Sequence, residues 1–356
     1  MKKIITFLVL LSVLLTSCKQ QNNVAEATAD EVQLVGPVFN ADSALAYCAA
    51  QCDFGPRTMN SKAHDDCAEW IIKKFKEFGC EVQTQKADLK GWDGTMLRST
   101  NIIASIDIPG STTDSVSSAS KPHIVICAHW DSRPWADNDP DTANWRKPVM
   151  AANDGASGVG VMLELARIIN EYGNNLTSSV ANDSLPREGW GGASISFVCF
   201  DAEDYGAPDW SGIADTEDTW ALGAQHYAKN LSSLYPEGKQ PVAAILLDMV
   251  GGQGAHFYHE GLSMHYAESL VRDVWAAAAE AGFGSYFINQ QGFTVTDDHK
   301  PLNEAGLPTI DIISYYPDCE QSSFGPTWHT INDDMNHLDK DVLKAVGQSL
   351  IQYLYR

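Results

Sequence analysis

Four short runs of this chain place metal-binding or proton-transfer side chains where strand-like segments end: Ala128-His129-Trp130-Asp131, Asn153-Asp154-Gly155, Asp201-Ala202-Glu203-Asp204 and Trp328-His329-Thr330. A fifth, Leu247-Asp248, lies in the same pattern. One His or one carboxylate at a strand end carries little information. Five together read as a zinc site beside a general acid/base. Zinc takes nitrogen and oxygen donors in a tetrahedron, and a catalytic site keeps one position for water or substrate. Asp154, Asp204 and His329 supply three such donors. Glu203, next to Asp204, suits a proton shuttle whose carboxylate is tuned by burial and by the metal.

The remaining residues leave a choice open. His129 and Asp131 form an H-x-D pair. With Asp248, His129 either holds a second zinc, with Asp154 bridging, or supports a single metal through hydrogen bonds. Asp297-Asp298-His299 adds another acidic group ahead of Pro301. Plainer roles compete at each position: Asp154 as a helix cap, and Asp201 to Asp209 as a solvated acidic loop. Gly155-Ala156-Ser157-Gly158 has the look of a nucleophile turn, but it misses the G-x-S-x-G register.

These residues need a frame that delivers strand ends to one place. Strand-like runs alternate with helical patterns, which predicts a mixed, mostly parallel sheet in a three-layer α/β/α sandwich. The spacing predicts a first helix over Ala63–Phe78, stopped by Gly79, and later helices over Ser157–Ile169, Ala221–Leu231, Met264–Ala281 and Asp339–Leu354. Strands are expected over Ile102–Ile106, His123–Ala128, Ser194–Phe200, Val242–Leu247 and Pro308–Ile313. Gly110–Lys121 reads as a surface loop and Asn174–Gly192 as a long polar connection. Active sites of such sheets lie beyond the carboxyl ends of the strands.

The first residues read as an address. Lys2 and Lys3, the apolar stretch Ile4–Leu15 and Leu15-Thr16-Ser17-Cys18 form a lipoprotein signal over residues 1–17, with Cys18 as the lipidated residue. The apolar run is too short to span a bilayer. Residues 18–35 read as a polar tether and 36–356 as a single catalytic α/β domain. The expected location is that of an exported bacterial lipoprotein, periplasmic or outer-membrane-anchored, touching membrane only through its lipid. A formal charge of −22 argues against nucleic acid as a partner. Seven cysteines follow Cys18. Cys127 and Cys199 sit in apolar runs as buried hydrophobes, and an oxidising compartment permits disulfides among the others.

The order H-x-D, N-D-G-A-S-G-V, D-x-E-D, L-D-M-V-G, D-D-H and W-H-T resembles the M28 metallopeptidase superfamily, and Phe54-Gly55-Pro56-Arg57 extends the resemblance over the domain. It implies a zinc-exopeptidase-like fold and two activities. A di-zinc aminopeptidase would use His129, Asp154, Asp204, Asp248 and His329 as ligands. A glutaminyl cyclase would use one zinc on Asp154, Asp204 and His329, with Glu203 as acid/base and Asp248 and Asp297 as its supporting carboxylates. Its substrates would be peptide or protein N-termini. His129-Trp130-Asp131-Ser132-Arg133, Asp297-Asp298-His299 and the aromatic Trp328 favour the cyclase. Trp328 and Trp210 would line its substrate pocket. Two departures stand out. The family commonly has Glu-Glu where this chain has Glu203-Asp204. Animal cyclases have His where it has Asp311, so a role for Asp311, as for His129 and Asp131, stays open between a second metal and support.

Overall fold

Successive residues of the central strands alternate between two apolar cores. Ile102, Ile124, Ile126, Ile195, Phe197, Ile245, Leu247, Ile310 and Ile312 face one core; Ile103, Val125, Cys127, Val198, Phe200, Ala244 and Leu246 face the other. A sheet buried on both faces needs apolar side chains at every position rather than every second one. That explains why these strands read as continuous apolar runs.

The structure is a computed structural model that describes residues 32, 34–109, 122–178, 190, 192–235 and 237–356. The signal, Cys18, nearly all of the tether, the Gly110–Lys121 loop and much of the Asn174–Gly192 connection lie outside the described residues. Val32–Arg356 forms one unit.

The described strands are β1 (Glu81–Lys90), β2 (Met96–Asp107), β3 (His123–His129), β4 (Ser194–Phe200), β5 (Ala243–Asp248), β6 (Phe257–His259), β7 (Phe287–Gln291) and β8 (Thr309–Ile313). Six form one sheet in the order β1-β2-β4-β3-β5-β8, while β6 and β7 pair separately. β1, β2 and β4 run antiparallel in turn. β4, β3, β5 and β8 run parallel. The helices are α1 (Ala41–Cys52), α2 (Lys62–Glu77), α3 (Ala156–Ser178), α4 (Leu222–Lys229), α5 (Leu231–Leu234), α6 (Gly261–Glu280), α7 (His299–Glu304) and α8 (Lys340–Tyr355). α1, α2, α3, α6 and α8 fill the larger core; α4, α5 and α7 cover the opposite face. The three-layer sandwich with a mixed, mostly parallel sheet is therefore the observed fold.

Several elements differ from the sequence reading. Helix α1 precedes the one expected to be first; its Ala-rich stretch offers few large apolar residues to mark a stripe. β1 was not anticipated because it is polar along most of its length, an edge strand with no buried residue. Its pairing partner β2 begins at Met96 rather than Ile102. α3 runs on to Ser178, shortening the polar connection, and Ala221–Leu231 breaks at Asn230 into α4 and α5. All seven described cysteines are free thiols. Five of them are buried, and burial pushes Cys67 and Cys80 up to about 12.

Candidate metal and acid/base site

The parallel strands all point their carboxyl ends the same way, and the chemistry gathers there. β3 ends on His129, β5 ends on Asp248, and β4 ends one residue before the Asp201–Asp204 turn. Asp154 precedes the first turn of α3, and His329 lies on the connection from β8 to α8. The backbone is bent hard around them. Ala151, Ala202, Ala221, Met249 and His329 all hold φ near +50° to +60°, a region that costs a non-glycine residue on the order of 1–3 kcal/mol.

Five of the predicted residues meet around Asp154. Its Oδ1 lies 2.9 Å from His129 Nε2, and that same nitrogen is 3.3 Å from Asp248 Oδ1. Its Oδ2 faces the other way, 3.6 Å from His329 Nε2, which is 3.2 Å from Asp204 Oδ1. Asp154 thus divides the group into a His129–Asp248 half and an Asp204–His329 half.

Both halves hold buried atoms without partners, His129 Nδ1 and Asp248 Oδ1 in the first, and the second holds more such oxygens. Asp154 Oδ2 and both oxygens of Asp204 are buried with no hydrogen-bond donor. Buried carboxylate oxygens without donors are strongly unfavourable. Burial and the neighbouring Asp204 push Asp154 up to about 7. Three donor-free oxygens and an imidazole nitrogen converging at one point fit a divalent cation of zinc's preferences. His129 lies within the same 4.8 Å cluster as Asp154 and Asp204, but its Nε2 is already taken by Asp154 Oδ1. Burial lowers the His129 pKa, yet Asp131, Asp154 and Asp248 together hold it well above the usual range.

Two further buried acids anchor the ligand turns. Asp131 accepts the backbone N–H groups of Glu203 (3.1 Å) and Asp204 (3.2 Å). Asp333 accepts those of Asn153 (2.7 Å) and Asp154 (3.0 Å). Asp131 therefore holds the ligand-bearing backbone and does not point its oxygens at the metal locus. Asp333 escaped the sequence reading, its only signal being its place after Trp-His-Thr. Arg57 donates to the carbonyls of Met150 and Ala151, fixing the left-handed turn before Asp154. Arg133 bonds Asp137, whose Oδ1 is 3.3 Å from His329 Nδ1. Burial opposes charge on Asp137, but Arg133 and His329 hold its carboxyl well below the usual range.

Ser157 is structural. Its hydroxyl donates to Asn153 O (2.5 Å) and accepts from Val250 N (3.0 Å). A Cβ at Gly158 would sit 2.3 Å from Leu247 O, so this glycine serves close packing of α3 on β5.

A cavity of about 500 Å³ opens over the metal locus, lined by Asp154, Glu203, Asp248, Asp297, Trp328 and His329 among others. Glu203 is 9 % exposed. Burial raises its pKa well above the carboxylate range, and Asp204, Asp297 and Asp298 outweigh the opposing His129. Burial and Asp248 raise Asp297 to about 6. Asp311 does not reach this locus. It groups with Asp297 and His299, 3.8 Å from His299 Nδ1.

The aromatic wall needs one correction. Trp328 lines the cavity and stacks on His329, ring centroids 3.8 Å apart. Trp210 does not line it. That indole stacks on Trp145 at 5.8 Å with the Arg146 guanidinium 4.1 Å away. Trp220 takes its place, parallel to His329 at 5.9 Å and 10°. Backbone bonds from Ala221 N to Glu203 O and from Leu222 N to Ala202 O return this segment to the site. A Cβ at Gly206 would fall 2.0 Å from the Trp220 ring, so only glycine there leaves room for the indole.

Comparison with known proteins agrees with this geometry. The chain is similar to the crystal structure of Bacteroides thetaiotaomicron glutaminyl cyclase bound to N-acetylhistamine, with 41 % identity and a TM-score of 0.78 over 91 % of this chain and 99 % of that one. Tannerella forsythia glutaminyl cyclase gives 41 % and 0.78 over 90 % and 99 %. Aminopeptidase YwaD of Bacillus subtilis is 30 % identical over 239 residues, 65 % of this chain, which spans 40 % of that relative's length. Residues 101–354 match peptidase family M28, and the chain belongs to that family.

Proposed function

We propose that this protein is a glutaminyl cyclase, a glutaminyl-peptide cyclotransferase that converts N-terminal glutaminyl residues of peptides to pyroglutamate with release of ammonia, and that it uses one zinc. The observation that carries the reading is the asymmetry around Asp154. Three donor-free oxygens gather on the Asp204–His329 side against one, Asp248 Oδ1, on the other, where His129 Nε2 bonds Asp154 Oδ1. The likeness to two glutaminyl cyclases over about nine-tenths of the chain supports it.

In this reaction the α-amine of the N-terminal Gln attacks its own γ-carboxamide carbon. The new N–C bond closes the ring, the bond to the carboxamide nitrogen breaks, and ammonia leaves. Asp154, Asp204 and His329 would hold the zinc, which would supply polarisation of the carbonyl. Glu203 takes the proton from the attacking amine and returns it to the departing nitrogen. Its raised pKa suits a group that must both accept and donate a proton. Asp248 and Asp297 line the cavity beside Glu203, and the charge of Asp297 adds to its proton affinity. Trp220 and Trp328 wall off bulk water, which would otherwise compete with the intramolecular amine.

A second reading, the di-zinc aminopeptidase, draws on Asp154 sitting between both halves and on the Bacillus relative. Zinc per chain, together with Gln-initiated and Leu-initiated peptides, separates the two. One zinc and ammonia from the Gln peptide alone are expected. Two zincs with cleavage of the Leu peptide would overturn the cyclase. From its sequence we further propose export and lipidation at Cys18, with a periplasmic or outer-membrane location. Mass spectrometry of the mature N-terminus tests this, and an unmodified terminus elsewhere would refute it.

A further inference from the structure

The cavity is larger than an N-terminal Gln requires. About 500 Å³ is in the range that encloses a drug-sized molecule, so the residues following Gln also lie against its wall. That outer wall has a consistent chemistry. Its lining includes the segment Ala214–Glu217 and the apolar residues Val295, Ile313 and Phe324. Among the lining residues Asp154, Glu203, Asp215, Glu217, Asp248 and Asp297 are acidic, and none is Lys or Arg.

Lys300 lines the adjoining cavity behind Trp220, where it pairs with Glu217 and lies 3.7 Å from Glu304. Glu217 also accepts from Thr296 Oγ1 at 3.2 Å, which fixes the segment across the mouth. Asp215 is exposed and accepts the Glu217 N–H at 3.2 Å, so its charge is held at the rim with no cation beside it among the lining residues. Zinc held by Asp154, Asp204 and His329 would offset charge at those residues and would leave the exposed Asp215 uncompensated.

We infer that this wall sorts substrates by the charge of the residues after Gln, with Asp215 as a specificity-determining residue; the inference rests on the cyclase reading of the same site. Peptides with a basic or apolar residue in the second or third position are favoured, and those with Asp or Glu there are disfavoured. Apolar residues gain contact with Val295, Ile313 and Phe324. Basic ones gain attraction that salt will screen, because the rim is solvent-exposed.

Ammonia release from Gln-Lys-Ala, Gln-Leu-Ala and Gln-Glu-Ala at low and high ionic strength reads the sorting directly. The Lys peptide should exceed the Glu peptide about tenfold in kcat/KM at low salt, chiefly through KM. Asp215→Asn and high salt should each shrink that ratio about threefold. Binding of the same peptides to the zinc-loaded Glu203→Gln variant, followed by calorimetry, reads the sorting without the chemistry. If no peptide releases ammonia from the wild type, the cyclase reading fails, while a Lys-over-Glu binding ratio still upholds the charge sorting. Equal binding of the Lys and Glu peptides would overturn it, as would a ratio indifferent to both Asp215→Asn and salt.

Discussion

Two groups of buried acids in this fold have opposite fates. Asp154, which lines the cavity, groups with Asp204 and His129; Asp297, which also lines it, groups with Asp311 and His299, which do not. Each has ligand-type atoms within 4.8 Å of one another. In the first, backbone donors are spent on the anchoring acids Asp131 and Asp333, and the buried oxygens of Asp204 stay unpaired. In the second, donors are spent on Glu260, which takes the N–H groups of Leu262, Ser263 and Val295 and a bond from His299. Burial works against charge on Glu260, but those donors hold it near about 2. Asp311 receives none, and both its oxygens are bare and fully buried. An acid beside the cavity can be neutralised by a cation; for Asp311, fully buried and off the cavity wall, burial favours the protonated form. Burial raises Asp311 well above the carboxylate range, with Asp297 and Asp248 adding to it.

Substitutions in the two groups should therefore read out differently. Asp204→Asn breaks the first group: zinc content by mass spectrometry should fall to background and take ammonia release with it. A full equivalent of zinc in that variant would remove Asp204 from the ligand set. Glu203→Gln should keep zinc yet lose about 10²–10⁴-fold in kcat, the span of general acid–base catalysis; near-normal turnover would exclude the shuttle. Asp131→Asn presents a donor to the N–H groups of Glu203 and Asp204. Zinc affinity, measured by chelator competition, should weaken about 10–100-fold, and an unchanged affinity would show that the turn holds itself.

The smallest effect belongs to the second group. A carboxyl whose folded pKa is raised binds its proton in the native state after the unfolded chain has released its own. Wild-type stability should then fall as pH rises from the ordinary aspartate range near ~4 toward the raised value. Asp311→Asn removes that term. Urea unfolding should find the variant more stable at neutral pH, on the order of 1 kcal/mol, with zinc content unchanged. A variant that loses stability at neutral pH, or loses zinc, would dissolve the distinction between the two groups.

How much of this was legible from the sequence follows from what each residue contacts. The parallel strands β3, β4, β5 and β8 announce themselves because burial on two faces demands uninterrupted apolar runs. β1 pairs along ten residues with β2 yet is polar, and no local pattern separates it from a loop. α7 holds a proline within six residues, too short for periodicity. The strand-end His and carboxylates were readable because their chemistry is local to each motif. Trp220 was not, since its place depends on two backbone bonds back to Ala202 and Glu203 and on the space left by Gly206. Trp210 was the nearer tryptophan in sequence, but its partners Trp145 and Arg146 lie off the cavity wall.

The left-handed backbone at Ala151, Ala202, Met249 and His329 has a thermodynamic consequence. These turns carry strain while the sheet beneath them carries none of it, so in the metal-free protein the rim should open well before the strands do. A ligand that binds only the closed rim adds RT ln(1 + [L]/Kd) to global stability, about 4 kcal/mol at a thousandfold excess over Kd. Melting temperature in this protein should accordingly behave as a gauge of zinc occupancy, rising with free zinc even in a variant that has lost all turnover.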